Sequence, residues 1–205
     1  MDSQSHWNKV YRTRRADQVS WYQAHLQISL QLIGEMLPGG KGRIIDVGGG
    51  ESTLVDDLLA MGYAAVDVLD LSETALKVAQ QRLEESSSSV QWHCGDVTSY
   101  PLEPASFDLW HDRAVFHFLT RPEDRAAYVR QVARAVKPGG YVIVAAFGPH
   151  GPTRCSGLEV VRYSATALHA EFGVEFQLLK HLTEVHRTPA GAEQQFVYCL
   201  CNVLL

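Results

Sequence analysis

Apolar residues recur along the chain in two rhythms. Between residues 19 and 37, Tyr22, Leu26, Leu30, Ile33 and Leu37 stand at spacings of four, four, three and four. That spacing puts them on one face of a helix, which the glycine-rich PGGKG then ends. RIIDV, at 43–47, is a short apolar run of strand type. STLVDDLLAMG follows as a helix, with Leu54, Leu58 and Met61 expected inward and Gly62 suited to its end. AAVDVLDL predicts a second strand, and Ser72 caps the helix ETALKVAQQRLEE, which the serine run 86–89 stops. VQWHCGDV and FDLWHD predict the third and fourth strands on either side of the proline-containing TSYPLEPAS. PEDRAAYVRQVARAVK predicts a helix with Pro122 in its first turn, and PGG turns the chain into a fifth strand, YVIVAAF.

Strands alternating with helices require right-handed crossovers, hence an α/β fold whose mostly parallel sheet carries helices on both faces. The last third breaks that rhythm. After one helix, SATALHAEFG, the strands VEFQLLKHLTEV and EQQFVYCLCNVLL are joined only by the turn-rich HRTPAGA. So short a connection makes an antiparallel hairpin and not a crossover. No internal repeat or dividing linker interrupts the chain, and one domain is expected over 1–205.

Composition narrows the function classes. Hydrophobic residues make up 46% of the chain, enough for a sizeable core. Eighteen basic against 23 acidic residues leave a net charge of −5, which gives no global pull toward nucleic acid or an anionic membrane. The cysteines Cys94, Cys155, Cys199 and Cys201 show no CxxC spacing, and no metal site is expected. The N-terminal MDSQSHWNKVYRTRR lacks the apolar core of a signal peptide, and no run approaches membrane-spanning length. A soluble, cytoplasmic protein is the expectation.

The candidate chemistry lies where strands end, because ligands of open parallel sheets bind beyond the carboxyl ends of the strands. Asp46 on the first strand is followed by Gly48, Gly49 and Gly50, whose missing Cβ atoms let a ligand lie against the main chain. Asp70 closes the second strand, 24 residues after Asp46, where a carboxylate can accept both hydroxyls of a ribose. Asp96 follows the third strand in CGDV, able to accept from an adenine amine while the Val97 N–H meets the ring. Each feature alone also fits a ligand-free turn. Together they describe an adenosine-binding edge. A dinucleotide site would normally show GxGxxG, but Thr53 stands three positions after Gly50 and Glu51 would oppose a pyrophosphate. A carboxylate there tolerates a sulfonium and an ammonium, which favours S-adenosylmethionine over NAD.

With these residues in this order, the chain resembles the class I S-adenosylmethionine-dependent methyltransferases from about Ile44 to its C-terminus. DVGGG is similar to the family's first motif, VLDLS to its ribose contact, CGDV to its adenine contact and FDLWHD to its fourth-strand motif, while VKPGGYVIV is similar to its turn into strand five. More narrowly, HWNKVY, SWYQ, HDRAVFHFL, GPTRCSGL and HRTPAGAEQQFVYC resemble a group of small bacterial methyltransferases.

The resemblance implies a Rossmann-like, seven-stranded sheet over 41–205, with the last strand antiparallel beside strand five, and an N-terminal helical cap over 1–40. It implies cofactor contacts from Asp46, Gly48, Gly49, Gly50, Asp70, Leu71, Asp96 and Val97, main-chain contact at His111, and an aromatic cover that includes Trp21 beside Trp7, Tyr11 and Tyr22. The methyl group would lie near the fourth strand, where Asp112 and His117 are the leading candidates for a base or for orienting the acceptor. Pairing of Asp112 with Arg113 and packing of His117 are the alternatives. Arg154, Cys155 and Ser156 would form another lip of the pocket, and His186 lies in the expected hairpin loop. The expected reaction is methyl transfer to a small-molecule acceptor, with S-adenosylhomocysteine as product. A protein lysine methyltransferase, a non-catalytic cofactor-binding sensor and an NAD-dependent oxidoreductase compete with it. No NPPY-type motif points to a flipped base.

Overall fold

A computed structural model describes residues 3–204. Five strands, β1 (Arg43–Val47), β2 (Ala65–Asp70), β3 (Val90–Cys94), β4 (Phe107–Arg113) and β5 (Val136–Phe147), pair in parallel. β6 (Arg154–Cys155) and β7 (Leu158–Glu159) form a small separate ribbon, and β8 (Phe176–Arg187) and β9 (Glu193–Val203) the expected hairpin. The main sheet runs β3-β2-β1-β4-β5-β9-β8, with β9 antiparallel to β5. The order reverses between β1 and β4, where such sheets open a cleft at the strand ends. In register, Val47 is level with Leu69 on β2 and Asp112 on β4, so the three tips end together.

Strand alternation divides the core in two. Ile44, Val66, Leu109 and Ile143 pack under α2 (Gln27–Met36), α3 (Leu54–Ala60) and α4 (Glu73–Leu83). Ile45, Trp110, Val142 and Cys201 pack under α5 (Pro122–Ala135) and α6 (Ala165–Phe172). α1 (Ser3–Thr13) is held against the start of α4 by Asn8, whose Oδ1 accepts from Ser72 Oγ at 2.7 Å and Thr74 N at 3.3 Å. Ser72 caps α4 as expected, accepting from Ala75 N at 3.2 Å. α1 is thereby seated beside the β2 tip.

Four local expectations are corrected. The helix expected over 19–37 begins only at Gln27. Its first turns are lost because the carbonyls of Ser20, Trp21, Gln23 and Ala24 accept from His186, Arg113 and, for the last two, Thr53. Donors from the rest of the fold replace helical amides there. Met61 is 46% exposed, since α3 has already ended at Ala60 and Gly62 (φ +89°) turns the chain away. Lys137-Pro138-Gly139-Gly140 is an irregularity inside β5, with a register shift opposite Phe107 and Leu109, and not a turn before it. His186 belongs to β8, because pairing continues to Arg187–Glu193 and only the Thr188–Ala192 turn is left as loop.

Candidate active site at the strand tips

A cavity of about 340 Å³ follows the tips of the sheet. It passes from Asp96 and Val97 after β3, by Asp70 and Leu71 after β2 and Gly48 after β1, to Arg113 on β4 and Phe147 on β5. A second cavity of about 40 Å³ shares Tyr11, Trp21, Gly48 and Arg113 with it, and is lined also by Asp46, Gly49, Glu51 and His111. The structure thus brings most of the expected cofactor residues to one cleft and its annex.

The glycines are needed first by the protein itself. A Cβ on Gly48 (φ +68°) would stand 2.0 Å from Val115 Cγ2, and one on Gly49 2.6 Å from Asp46 Oδ2 and 2.7 Å from Val68 Cγ1. Gly50 faces Asp70 Oδ2 and the Tyr11 hydroxyl in the same way. Gly48→Ala is therefore expected to cost roughly 1–3 kcal/mol of stability through backbone strain and contact with Val115. A chemical-denaturation midpoint unchanged from the wild type would refute that crowding.

Asp46 is locked below this turn. His111 Nδ1 lies 2.7 Å from Asp46 Oδ1 and His111 Nε2 2.9 Å from Ser29 Oγ, with all three residues buried. The His111 ring, and not only its main chain, thus helps wall the annex. Asp70, 7% exposed, accepts from Ser72 N at 2.7 Å. Burial, with Asp46 and Glu51 close by, pushes its carboxyl up to about 7 against the Ser72 bond. Glu51, also 7% exposed, is pushed up to about 7 by burial, and Arg82 only partly opposes this. Glu51 Oε2 has no hydrogen-bond partner among the described residues. Asp96 Oδ1 is used locally, accepting from Thr98 N and Oγ1 at 2.8 and 2.7 Å.

Aromatic rings cover this row. Trp7 lies 5.8 Å from Trp21 and 5.0 Å from Phe118, both edge-on, and Tyr11 6.3 Å from Trp21. Tyr22 lines the annex instead. Cys155 lines the main cavity, whereas Arg154 is exposed and donates to Gly157 O, and Ser156 makes a positive-φ turn.

The two proposed catalytic groups are not brought to the cavity. Asp112 is fully buried on the α5 face, accepting from Val115 N (2.9 Å), Phe116 N (3.1 Å) and Tyr128 Oη (2.7 Å). Burial raises its carboxyl to about 6, and its bonds serve the turn after β4. His117 is also fully buried, stacked on Phe147 at 4.2 Å, with Nδ1 accepting from Phe147 N at 3.3 Å. Burial, with Arg113 nearby, lowers it to about 3, so it is a neutral packing group. His117→Ala is expected to cost roughly 2–4 kcal/mol of stability. Turnover per folded molecule should be unchanged; a rate loss without destabilisation would return it to the chemistry.

Sequence reasoning passed over Arg113 as a hub. Its Nε donates to Tyr198 Oη (2.9 Å), Nη1 to Trp21 O (3.0 Å) and Nη2 to Glu184 Oε2 (3.2 Å), and its guanidinium sits 4.3 Å over the Phe196 ring. Gln23 and Tyr198 also donate to Glu184, at 2.5 and 3.0 Å. This network clamps the 20–24 segment to β4, β8 and β9. The signal in the sequence is strand alternation, which places Arg113 on the His111 face and Asp112 on the other.

The row of carboxylates suits a cationic adenosyl ligand and opposes a pyrophosphate. Asp70 stands at the β2 tip on the wall of the main cavity, and the unpartnered Glu51 Oε2 belongs to a residue that lines the annex. S-adenosylmethionine therefore fits the residues present.

Comparison with known proteins agrees. Residues 44–140 match a family model described as a methyltransferase domain. A ubiquinone biosynthesis O-methyltransferase of Thiobacillus denitrificans is 34% identical over 116 residues, 56% of this chain and 48% of that protein. An eEF1A lysine and N-terminal methyltransferase of Danio rerio is 27% identical over 146 residues, 69% of this chain and 21% of that protein. The chain thus spans about half the length of the first of these relatives and less of the second. The Burkholderia thailandensis 1,6-didemethyltoxoflavin-N1-methyltransferase, solved with 1,6-didemethyltoxoflavin and S-adenosylhomocysteine, shares the fold at a TM-score of 0.75. That match is 18% identical and covers 98% of this chain and 87% of that one. Sheet order, tip chemistry and matched domain converge on a class I S-adenosylmethionine-dependent methyltransferase, its methyltransferase domain matched over residues 44–140.

Proposed function

We propose that this chain transfers a methyl group from S-adenosylmethionine to a small-molecule acceptor held over the tips of β4 and β5. The observation that carries the reading is a continuous cavity along five strand tips, acidic at the β3–β2 end and largely apolar at the β4–β5 end. When bound, the cofactor supplies a methyl group on a sulfonium, and the electron pair of the broken C–S bond stays on sulfur. Asp70 would take the ribose hydroxyls, Asp96 and the Val97 N–H the adenine, and Leu71 its flank. Gly48 to Gly50 would leave the main chain open beside the cofactor, with Asp46 and His111 bracing that turn. Glu51 would take the ammonium. Trp7, Tyr11 and Trp21 would exclude water, and Phe118, Phe147 and Leu158 would orient the acceptor.

The named relatives support a transferase and divide on the acceptor, one being called an O-methyltransferase and one a lysine and N-terminal methyltransferase. The cover of α1 over the cleft favours a small molecule over a protein chain. The test incubates the protein with labelled cofactor and either small thiols, phenols and carboxylic acids or a cell-extract protein fraction. The expected result is label in the small molecules with release of S-adenosylhomocysteine. Label confined to protein would establish the lysine reading instead.

A further inference from the structure

We infer that the acceptor is an anion: a small, mostly apolar molecule that presents an ionised oxygen or sulfur at the tips of β4 and β5. The inference rests on the proposed function and narrows it to an acceptor class.

Among the described residues, the acid–base groups that line the main cavity do not include a base for the acceptor. Its carboxylates are Asp70, Asp96 and Asp124, and no histidine lines it. Asp70 and Asp96 stand at the β2 and β3 end, away from the β4 and β5 tips. Asp124 lies at the start of α5, held by Arg121 at 2.6 and 2.8 Å, and these bonds lower its carboxyl below the usual range. Burial raises the Tyr11 hydroxyl and the Cys155 thiol above their ordinary values, so both stay protonated at neutral pH. Asp112 and His117 are turned into the core. At the β4 and β5 tips, an acceptor that must lose a proton would find no group of the main cavity to take it, and Glu51 lies in the annex beside β1. An anion has none to lose: its lone pair forms the new bond to carbon, and charge cancels against the sulfonium.

The surroundings favour that charge. Arg113 places a buried cation at the β4 tip and lines both cavities. Three of its five N–H groups are engaged by Tyr198, Trp21 and Glu184. Around it stand Trp21, Phe118, Phe147 and Leu158. Attraction between opposite charges is several-fold stronger beside such walls than in water, whereas a neutral amine gains little from them. Asp46, Glu51 and Asp70 would repel an anion from the ligand-free protein, and a bound cofactor whose sulfonium and ammonium outweigh its own carboxylate by one charge would offset them in part. Acceptor binding should therefore follow cofactor binding.

The test needs no substitution. Nitrophenol and nitrothiophenol, whose absorbance reports ionisation, are titrated into the protein with sinefungin (a stable cationic cofactor analogue), with S-adenosylhomocysteine, and with neither. Nitroanisole serves as the neutral match. The anions should bind the sinefungin complex roughly tenfold or more tighter than nitroanisole, ionise at lower pH when bound, and bind less well to the other two forms. Equal binding of nitroanisole, ionisation shifted to higher pH, or no binding of the anions would overturn the inference. Calorimetry on the same samples separates the causes. If sinefungin and S-adenosylhomocysteine bind, only the anion inference falls; if neither binds, the parent reading falls with it.

Discussion

Replacing Arg113 with alanine is expected to remove about 3–5 kcal/mol of stability, the largest single effect among the polar residues of the site. The arginine side chain is 4% exposed and its partner Glu184 13%, so the substitution leaves a carboxylate largely out of water without its cation. It also frees the Trp21 carbonyl and removes the guanidinium from the Phe196 ring. The midpoint of urea unfolding should fall. The double variant Arg113→Ala, Glu184→Gln should recover part of the loss, because the stranded charge is then gone as well. A loss below about 1 kcal/mol would show that the 20–24 segment is held by other contacts.

Asp70→Ala should weaken binding of S-adenosylhomocysteine by roughly 1–3 kcal/mol, the cost of a buried, charge-assisted contact to the ribose. Calorimetric titration measures this directly, and unchanged affinity would remove Asp70 from the cofactor site. The same residue carries a pH dependence. Burial pushes Asp70 and Glu51 up to about 7 in the folded protein. Their folded values lie above their unfolded ones, so the stability they contribute is full below about pH 4 and is lost as pH rises through about 7. A ligand carrying positive charge selects the ionised carboxylates, and its affinity should rise over the same interval with release of protons. The thermal shift given by S-adenosylmethionine should accordingly be larger at about pH 8 than at about pH 6. An equal shift at both would mean that neither carboxylate changes ionisation on binding.

Much of the fold was legible because its strands and helices differ in period and its turns carry glycine, proline or a serine cap. The hairpin, the Ser72 cap and the row of tip residues all follow from local pattern. What escaped were choices made by distant partners. Thr53, Arg113 and His186 claim the carbonyls of Ser20, Trp21, Gln23 and Ala24, which ends a helix that the apolar spacing alone extends to residue 19. Asp112 reads as a candidate base from its place beside the fourth strand's end. Alternation sends it to Tyr128, while His111 and Arg113 face the N-terminal segment. The ribbon of β6 and β7, two residues per strand, is too short to leave a period.

Whether the strand tips hold an adenosyl ligand is decided most directly by calorimetric titration of the unmodified protein with S-adenosylmethionine, S-adenosylhomocysteine and NAD. Saturable one-to-one binding of both S-adenosyl ligands is predicted, with S-adenosylmethionine losing more affinity than its product as pH falls from about 8 to about 6, and no heat from NAD. Binding of NAD with neither S-adenosyl ligand taken up would contradict the assignment of the site.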